Sequence, residues 1–456
     1  MFDLKVGLLL FIITSVVIIG VHLIVSSIDT YKKNKEVINF DDLEYKSMSL
    51  LIPCYNEAVV IRTVLSTIKK LKYPDLEIIF INDGSSDDTF NILNKELKLR
   101  KISYRYGDFQ CNKINGTYAS DTNKNIFVID KINGGKADSL NAGSSFASKR
   151  YVVTLDADSI LKEDALDHIN YTLQDSDVIA VGGNIVAAQG IKNYNGDTIF
   201  CKFKGNFLEK AQFLEYLRGF YVLKNSHAKL NALSIISGAF GVFDKEVIIK
   251  VGGFENTVGE DIDITIKFAR YAKENNKKLA YNDKAICFTE LPNTWSDFRK
   301  QRIRWQKGFL DAMKNHFPFI ISNCLTNSLA FVMFFENFLL MYATTIITFV
   351  SFIVVFVLLL LGNTVDSIFY VMLAIGIVMF LLYNIVTFKI MKNSCLSIKH
   401  LKIRHIAQVL IYEFLCYRPI MNAIVIYGSI EFFFNPGGWN KVQRIGVVDE
   451  EKEVVV

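Results

Sequence analysis

The 456-residue sequence has only six histidines, six prolines and seven cysteines. The cysteines, at positions 54, 111, 201, 287, 324, 395 and 416, are odd in number, far apart and never arranged as CxxC. They indicate neither a disulfide framework nor a zinc site, and reduced thiols facing a cytosol fit them best. The sparse histidines suggest no Ser/His/Asp or Cys/His set for covalent catalysis. There is no dense basic block either: 51 Lys and Arg nearly cancel 46 Asp and Glu, leaving +5. No nucleic-acid partner is expected on that footing. GxGxxG and GxxxxGK[ST] are both missing, so neither dinucleotide fingerprint nor P-loop is present. Low-complexity stretches and repeats are also missing, and at 51% apolar residues the chain is no disordered linker.

Long apolar runs, by contrast, are plentiful. Residues 6–25 contain no Asp, Glu, Lys or Arg, and an apolar bilayer core needs ~20 helical residues. A signal peptide fits poorly, because the run is long, only Lys5 precedes it and no small-residue cleavage site follows. Lys32, Lys33 and Lys35 come next and put the following domain in the cytosol by the positive-inside rule. Residues 342–361 and 367–388 read as a hairpin, after which Lys389, Lys392, Lys399, Lys402 and Arg404 return the chain to the cytosol. Segment 317–341 carries Glu336, and 406–434 carries Glu413, Arg418 and Glu431. Charges at membrane depth face protein or water, so both segments read as interfacial. The expected units are a transmembrane helix over 1–30, a cytosolic domain over 47–315 and an interfacial or re-entrant helix over 317–341. A transmembrane hairpin over 342–390 follows, then 391–456 as basic loop, interfacial or transmembrane helix and tail. The expected location is the cell membrane, multi-pass and in contact with lipid.

Between 47 and 315, short apolar runs alternate with helical stretches: strands over 48–53, 77–83, 125–130 and 151–158, helices over 57–71, 86–99 and 136–148. Such alternation builds a parallel sheet with right-handed crossovers. Ligands bind beyond the carboxyl ends of its strands, where Asp83, Asp156 and Asp158 fall. The polar stretch 100–124 reads as a surface excursion. Asp156-Ala157-Asp158 suits a hard divalent cation completed by substrate phosphates, although turns also produce the pattern. In NDGSSDDT, Ser85 or Ser86 is expected to cap the next helix, which leaves Asp83 unexplained. Asn133-Gly134-Gly135-Lys136 sets amides and one cation at a helix start, suiting a diphosphate or serving only as a cap. Glu260 and Asp261 are a solvated helix start or contain a general base. Gln301, Arg304 and Trp305 put an amide, a guanidinium and an indole on one stretch of helix, for a diphosphate and a sugar face or for a membrane interface.

Taken in order, IPCYNE (52–57), NDGSSDDT (82–89), NGGKADSLNAG (133–143), DAD (156–158), SGAFG (237–241), VGED (258–261) and QRIRW (301–305) resemble the membrane-bound, inverting family 2 glycosyltransferases. That family has a GT-A fold, an α/β domain with a Rossmann-like, mostly parallel sheet, here set between helical membrane segments. The resemblance is nearest to bacterial exopolysaccharide synthases of the poly-N-acetylglucosamine synthase-like and cellulose–hyaluronan synthase types. It implies that Tyr55, Glu57 and Asp83 hold the uridine of a UDP-sugar, with Lys136 and Asp156 also at the nucleotide-sugar. Asp156 and Asp158 would hold Mg²⁺ or Mn²⁺, and Asp261 would deprotonate the acceptor. Glu260, Gln301, Arg304 and Trp305 would flank acceptor and diphosphate. The implied reaction moves a sugar, from UDP-GlcNAc or UDP-glucose, to a growing β-linked exopolysaccharide in one displacement. Single addition to a lipid carrier is the alternative. The small membrane complement leaves room for a partner subunit or dimer to complete an export path.

Overall fold

Runs such as MSLLIPC and LEIIFIND are apolar at successive positions, the pattern of strands covered on both faces. They form β1 (Met48–Cys54) and β2 (Leu76–Asp83), and every residue of β2 is buried. The computed structural model describes residues 4–33, 39–103, 107, 109–195, 198–201, 205–362, 367–392, 396–397 and 402–435. Further strands are β3 (Leu99–Ile102), β4 (Ile114–Ser120), β5 (Ile126–Lys131), β6 (Tyr151–Leu155), β7 (Ser159–Leu161) and β8 (Val178–Ala187). The remainder are β9 (Ile191–Asn195), β10 (Thr198–Cys201), β11 (Phe240–Asp244), β12 (Lys278–Thr289) and β13 (Leu396–Ser397). Ten of them form one sheet in the order β3-β4-β5-β2-β1-β6-β11-β8-β12-β7, and β13-β10-β9 form a small second one.

Strands β5, β2, β1 and β6 run parallel, as expected, while β11 inserts antiparallel between β6 and β8. The polar stretch expected as an excursion instead contributes β3 and β4, an antiparallel pair at the sheet edge. Its polarity is that of an edge with one open side. From β1 the chain moves outward to β2 and β5, then returns to the other side of β1 as β6. That reversal opens a crevice at the carboxyl ends of β1 and β6, where ligands of doubly wound sheets bind.

Helices α2 (Ile61–Ile68), α3 (Thr89–Leu97), α4 (Lys136–Phe146) and α5 (Ala165–Thr172) follow their strands. The first two start later than the pattern suggests, because side chains hold the preceding turns. Asn56, at φ 55°, accepts hydrogen bonds from the Ser86 and Asp87 amides, and Asp87 accepts one from Thr89. Ser85 accepts from the Asn56 amide, so it ties the two motifs together and does not cap α3. Beyond β10, α6 (Phe207–Arg218), a π-helical stretch (Gly219–Lys224) and α7 (Asn225–Lys229) form a continuous rod. Helices α8 (Lys245–Lys250), α9 (Glu260–Glu274) and α10 (Trp295–Asn315) complete the α/β part.

The apolar part begins with α1 (Leu4–Lys33), which packs on the rod. After α11 (Phe317–Asn323), α12 (Ser328–Phe331) runs through a π-helical stretch into α13 (Met341–Leu360). The expected boundary at 341/342 therefore falls inside an unbroken helix. Then come α14 (Ser367–Lys392), α15 (Ile403–Tyr412) and α16 (Arg418–Phe434), the last two also joined by a π-helical turn. Among the described residues, four helices are long and apolar enough to cross a membrane: Phe11–Lys32, Ser328–Ser351, Tyr370–Met391 and Ile403–Phe434. Several of their charged residues meet partners. Glu413 pairs with Arg218 on the rod and with Arg418, and Glu431 lies 3.0 Å from Lys307 on α10.

Helices α9 and α10 touch backbone to backbone: a Cβ on Gly259 would lie 2.7 Å from the Gly308 carbonyl oxygen. No side chain fits there without separating the helices. Gly308→Ala should therefore cost about 1–3 kcal/mol despite its better helix propensity. Chemical or thermal unfolding of the purified protein checks this, and an unchanged midpoint would show that the contact yields freely.

Candidate active site

Strand β6 ends at Leu155, and Asp156 and Asp158 follow in the turn, with Asp158 and Ala157 buried. Across the crevice, α9 starts at Glu260, and its first turn holds Glu260, Asp261 and Asp263. The positive end of a helix favours such acids. Asp263 turns away to His316, 2.8 Å off, and to Lys267. Glu260 and Asp261 remain toward β6. Lys136, first residue of α4, bridges the two sides: its Nζ lies 2.7 Å from Asp156 and 3.1 Å from Glu260.

This bridge sets the electrostatics of the crevice. Burial opposes the charge of Lys136, but attraction by Asp156, Glu260 and Asp261 outweighs it and holds the ammonium above its ordinary range. Burial raises the Glu260 carboxyl, and Asp261 adds to that, against the pull of Lys136. Asp261 is oriented by the main chain, accepting from the Gly238 amide at 3.1 Å and from the Ile262 amide at 2.9 Å. A Cβ on Gly238 would lie 2.6 Å from Lys136 Nζ, so a side chain there would displace the ammonium.

The nucleotide-side residues divide. Tyr55 is 40% exposed at the crevice end of β1, whereas Glu57 is buried behind it. Asp83 is buried too, and its carboxylate binds Lys131 at 2.6 Å and the amides of Gly134 and Gly135 at 2.9 and 2.8 Å. It thus shapes the loop that starts α4, bringing the NDG and NGGK motifs together.

On α10, Gln301 is buried and Trp305 is 41% exposed. The Arg302 guanidinium lies over the Trp305 ring at 4.4 Å and binds both oxygens of Glu215 on α6, at 2.9 and 2.8 Å. Tyr216 stands between the halves of the site. Burial pushes its hydroxyl up to about 12, against the pull of Arg302 and Arg304 and with a smaller push from Glu215 and Asp158. So the sheet-end acids and the QRIRW helix share one crevice, with the rod as its third wall. Glu215, Tyr216 and Lys224 on that wall went unread in the sequence, because FLEKAQFLEYLRGFYVLK has no motif and Arg302 is 87 residues from Glu215.

Residues 151–384 match the model described as Glycosyl transferase family group 2, which takes in half of the chain. The chain belongs to that family. Residues 49–252 also match Glycosyl transferase family 2. Among relatives, the poly-beta-1,6-N-acetyl-D-glucosamine synthase of Staphylococcus epidermidis is 30% identical over 273 residues, 60% of this chain and 57% of its own. That of Staphylococcus aureus strain COL is 33% identical over 281 residues, 61% and 58% respectively. The matched region spans less than two thirds of these relatives. Among solved structures, a Pyrobaculum calidifontis mannosyltransferase in complex with GDP-Man and Mn²⁺ aligns at TM-score 0.48 and 14% identity, over 92% of this chain and 98% of that one. S. aureus TarS 1–349 in complex with UDP-GlcNAc aligns at TM-score 0.37 and 15% identity, over 58% and 67%. The family resemblance read from the motifs thus holds, as does the mixed, mostly parallel sheet of a GT-A glycosyltransferase.

Lys224 lies over the Phe220 ring at 4.4 Å and is attracted by Asp261. Burial lowers its pKa to about 8, the attraction offsetting only part of that. The unfolded chain keeps a lysine near ~10.4. Below about pH 8 the folded state therefore bears the full cost of the buried charge. Between about 8 and 10.4 the unfolded state binds more protons, so stability rises with pH. Lys224→Met should raise stability at about pH 7 by roughly 1–3 kcal/mol and lose that gain by about pH 10. Calorimetry at both values tests the sign, and a gain that grew with pH would contradict it.

Proposed function

We propose that this chain is a membrane-bound inverting glycosyltransferase. It transfers a sugar from a UDP-sugar, UDP-GlcNAc or UDP-glucose, to a growing β-linked exopolysaccharide. The observation that carries this reading is the convergence of Asp156, Lys136, Glu260 and Asp261 in one crevice. The likeness to synthases named for poly-beta-1,6-N-acetyl-D-glucosamine supports the choice of sugar and acceptor.

In this reading Asp261 is the general base. The acceptor hydroxyl oxygen bonds to the anomeric carbon as the bond from that carbon to the diphosphate breaks. The hydroxyl proton passes to Asp261 and UDP leaves. One displacement inverts the anomeric centre, and no covalent nucleophile is needed. The Gly238 and Ile262 amides keep the Asp261 carboxylate aimed, which limits the reorganisation that proton transfer requires. Lys136 places positive charge at the start of α4, where a diphosphate is also favoured by the helix end. Asp156 and Asp158 fit a hard cation: both offer oxygens at one strand end, and Asp156 already draws the Lys136 ammonium to 2.7 Å. A divalent ion held there, Mg²⁺ or Mn²⁺, would neutralise charge on the leaving diphosphate. Gln301 Oε1 is buried with no hydrogen-bond donor among the described residues, and it suits a sugar hydroxyl. Trp305 offers a ring face for the sugar beside it.

The α1 span would bring the chain into the cytosol, and the helix over 328–360 with α14 would make the hairpin. A 33-residue helix is about 50 Å long against a ~30 Å apolar core, so its first turns project on the cytosolic side and meet the globule. Segment 403–434 then lies on or across the bilayer beside α10.

UDP release by protein in membranes, measured across UDP-GlcNAc, UDP-glucose, UDP-galactose and UDP-glucuronate with Mg²⁺ or Mn²⁺, tests the assignment. One donor should be consumed, and Asp261→Asn should lower its turnover by at least ~10²-fold. UDP binding without turnover under every combination would replace the enzyme with a sensor. With the active donor, Trp305→Ala should shorten the product while donor binding stays near wild type. Products of one added sugar in the wild type would favour transfer to a lipid carrier.

A further inference from the structure

His22 of α1, His227 of α7 and Glu336 of the π-helical stretch between α12 and α13 meet where the rod, the first apolar helix and the helix over 328–360 come together. Their ligating atoms all lie within 4.8 Å of one another. His22 Nε2 is 3.1 Å from each Glu336 oxygen, and His227 Nε2 is 3.2 Å from Oε1. The two imidazole rings stand edge to face with centroids 5.0 Å apart. Both histidines are buried, and Glu336 is 14% exposed. These are two of only six histidines in the chain, and they are brought together across 205 positions of sequence.

We propose that these three side chains form a binding site for a divalent ion of the zinc type, separate from the crevice and independent of the sugar-transfer reading. Two imidazoles and a carboxylate are a borderline donor set that prefers such ions to Mg²⁺, which takes oxygen ligands. A tetrahedral ion with bonds of ~2.1 Å spaces its ligand atoms about 3.4 Å apart, close to the imidazole–carboxylate distances found. The outer contact is in place as well: His22 Nδ1 lies 2.8 Å from Ser226 Oγ, which fixes the ring with Nε2 toward Glu336. Glu336 sits on a π-helical stretch, a backbone form that recurs where a helix side chain is re-aimed for function. A carboxylate so placed in an apolar helix requires a partner, and an ion would satisfy it with both histidines at once. The ion would fasten α1 and the helix over 328–360 to the rod, three residues from Lys224 and eleven from Tyr216 on the crevice wall.

The test uses the full chain purified in detergent, stripped with EDTA, returned to excess Mg²⁺ and dialysed against limiting Zn²⁺ or Co²⁺. Bound metal is counted by mass spectrometry, and the visible band of Co²⁺ reports tetrahedral coordination. One equivalent should stay with the wild type and with the Asp156→Asn/Asp158→Asn double variant. It should be lost in His227→Gln and in Glu336→Gln, and Zn²⁺ should raise the unfolding midpoint of the wild type but not of those two. His227→Gln keeps size and polarity at the end of the rod, so it supplies the readout where Glu336→Gln fails to fold. Retention unchanged in His227→Gln would place the ion elsewhere. No retention by the wild type would reduce the cluster to a carboxylate held by two imidazoles. Either result overturns the proposal.

Discussion

Everything in the crevice depends on holding several carboxylates near one another in a partly buried place. Asp156 and Glu260 belong to opposite walls and would repel, and the desolvation that raises Glu260 would favour its neutral form. Lys136 resolves this by sitting between them. Its own position is set by the loop before α4, which Asp83 and Lys131 clamp from inside the sheet. The arrangement is thus nested: an inner ion pair shapes a loop, the loop aims a lysine, and the lysine draws two walls together. Removing the inner partner would leave a buried charge uncompensated, a far larger penalty than the loss of a surface pair.

A second set of ion pairs and hydrogen bonds couples the globule to the apolar helices. Arg218 reaches Glu413 from the rod, Lys307 reaches Glu431 from the helix that carries QRIRW, and both histidines reach Glu336. Gln306, one residue past Trp305, bonds Tyr342 and Ser429 on two different apolar helices. The helix that carries QRIRW is therefore bolted to two of the apolar helices. Charges that look misplaced in apolar stretches mark the seams where these helices dock on the globule.

The motifs were legible because each is local chemistry at a strand or helix end, and such ends gather at one edge of a doubly wound sheet. Strand interiors were legible from continuous apolar runs, and their boundaries shifted by only a residue or a few. Helix starts were less so: Asn56 and Asp87 bond across to the neighbouring turn, and nothing in a one-dimensional pattern shows which partner an Asn or Asp side chain takes. For the same reason Ser85 reads as a cap and serves as a tie, and Asp83 reads as exposed to ligand while its bonds run inward. The strands β3 and β4 were hidden because edge strands need no apolar alternation.

By itself the sequence determined the family, the alternation of strand and helix, the apolar helices and the identity of the acids at the sheet ends. These rest on short-range patterns in which a residue's neighbours in the chain are also its neighbours in space. Only the tertiary structure decided which acids meet, that Lys136 bridges them, that the rod with Glu215, Tyr216 and Lys224 forms the third wall, and that His22, His227 and Glu336 converge. Those contacts join residues tens to hundreds of positions apart, and packing alone selects them.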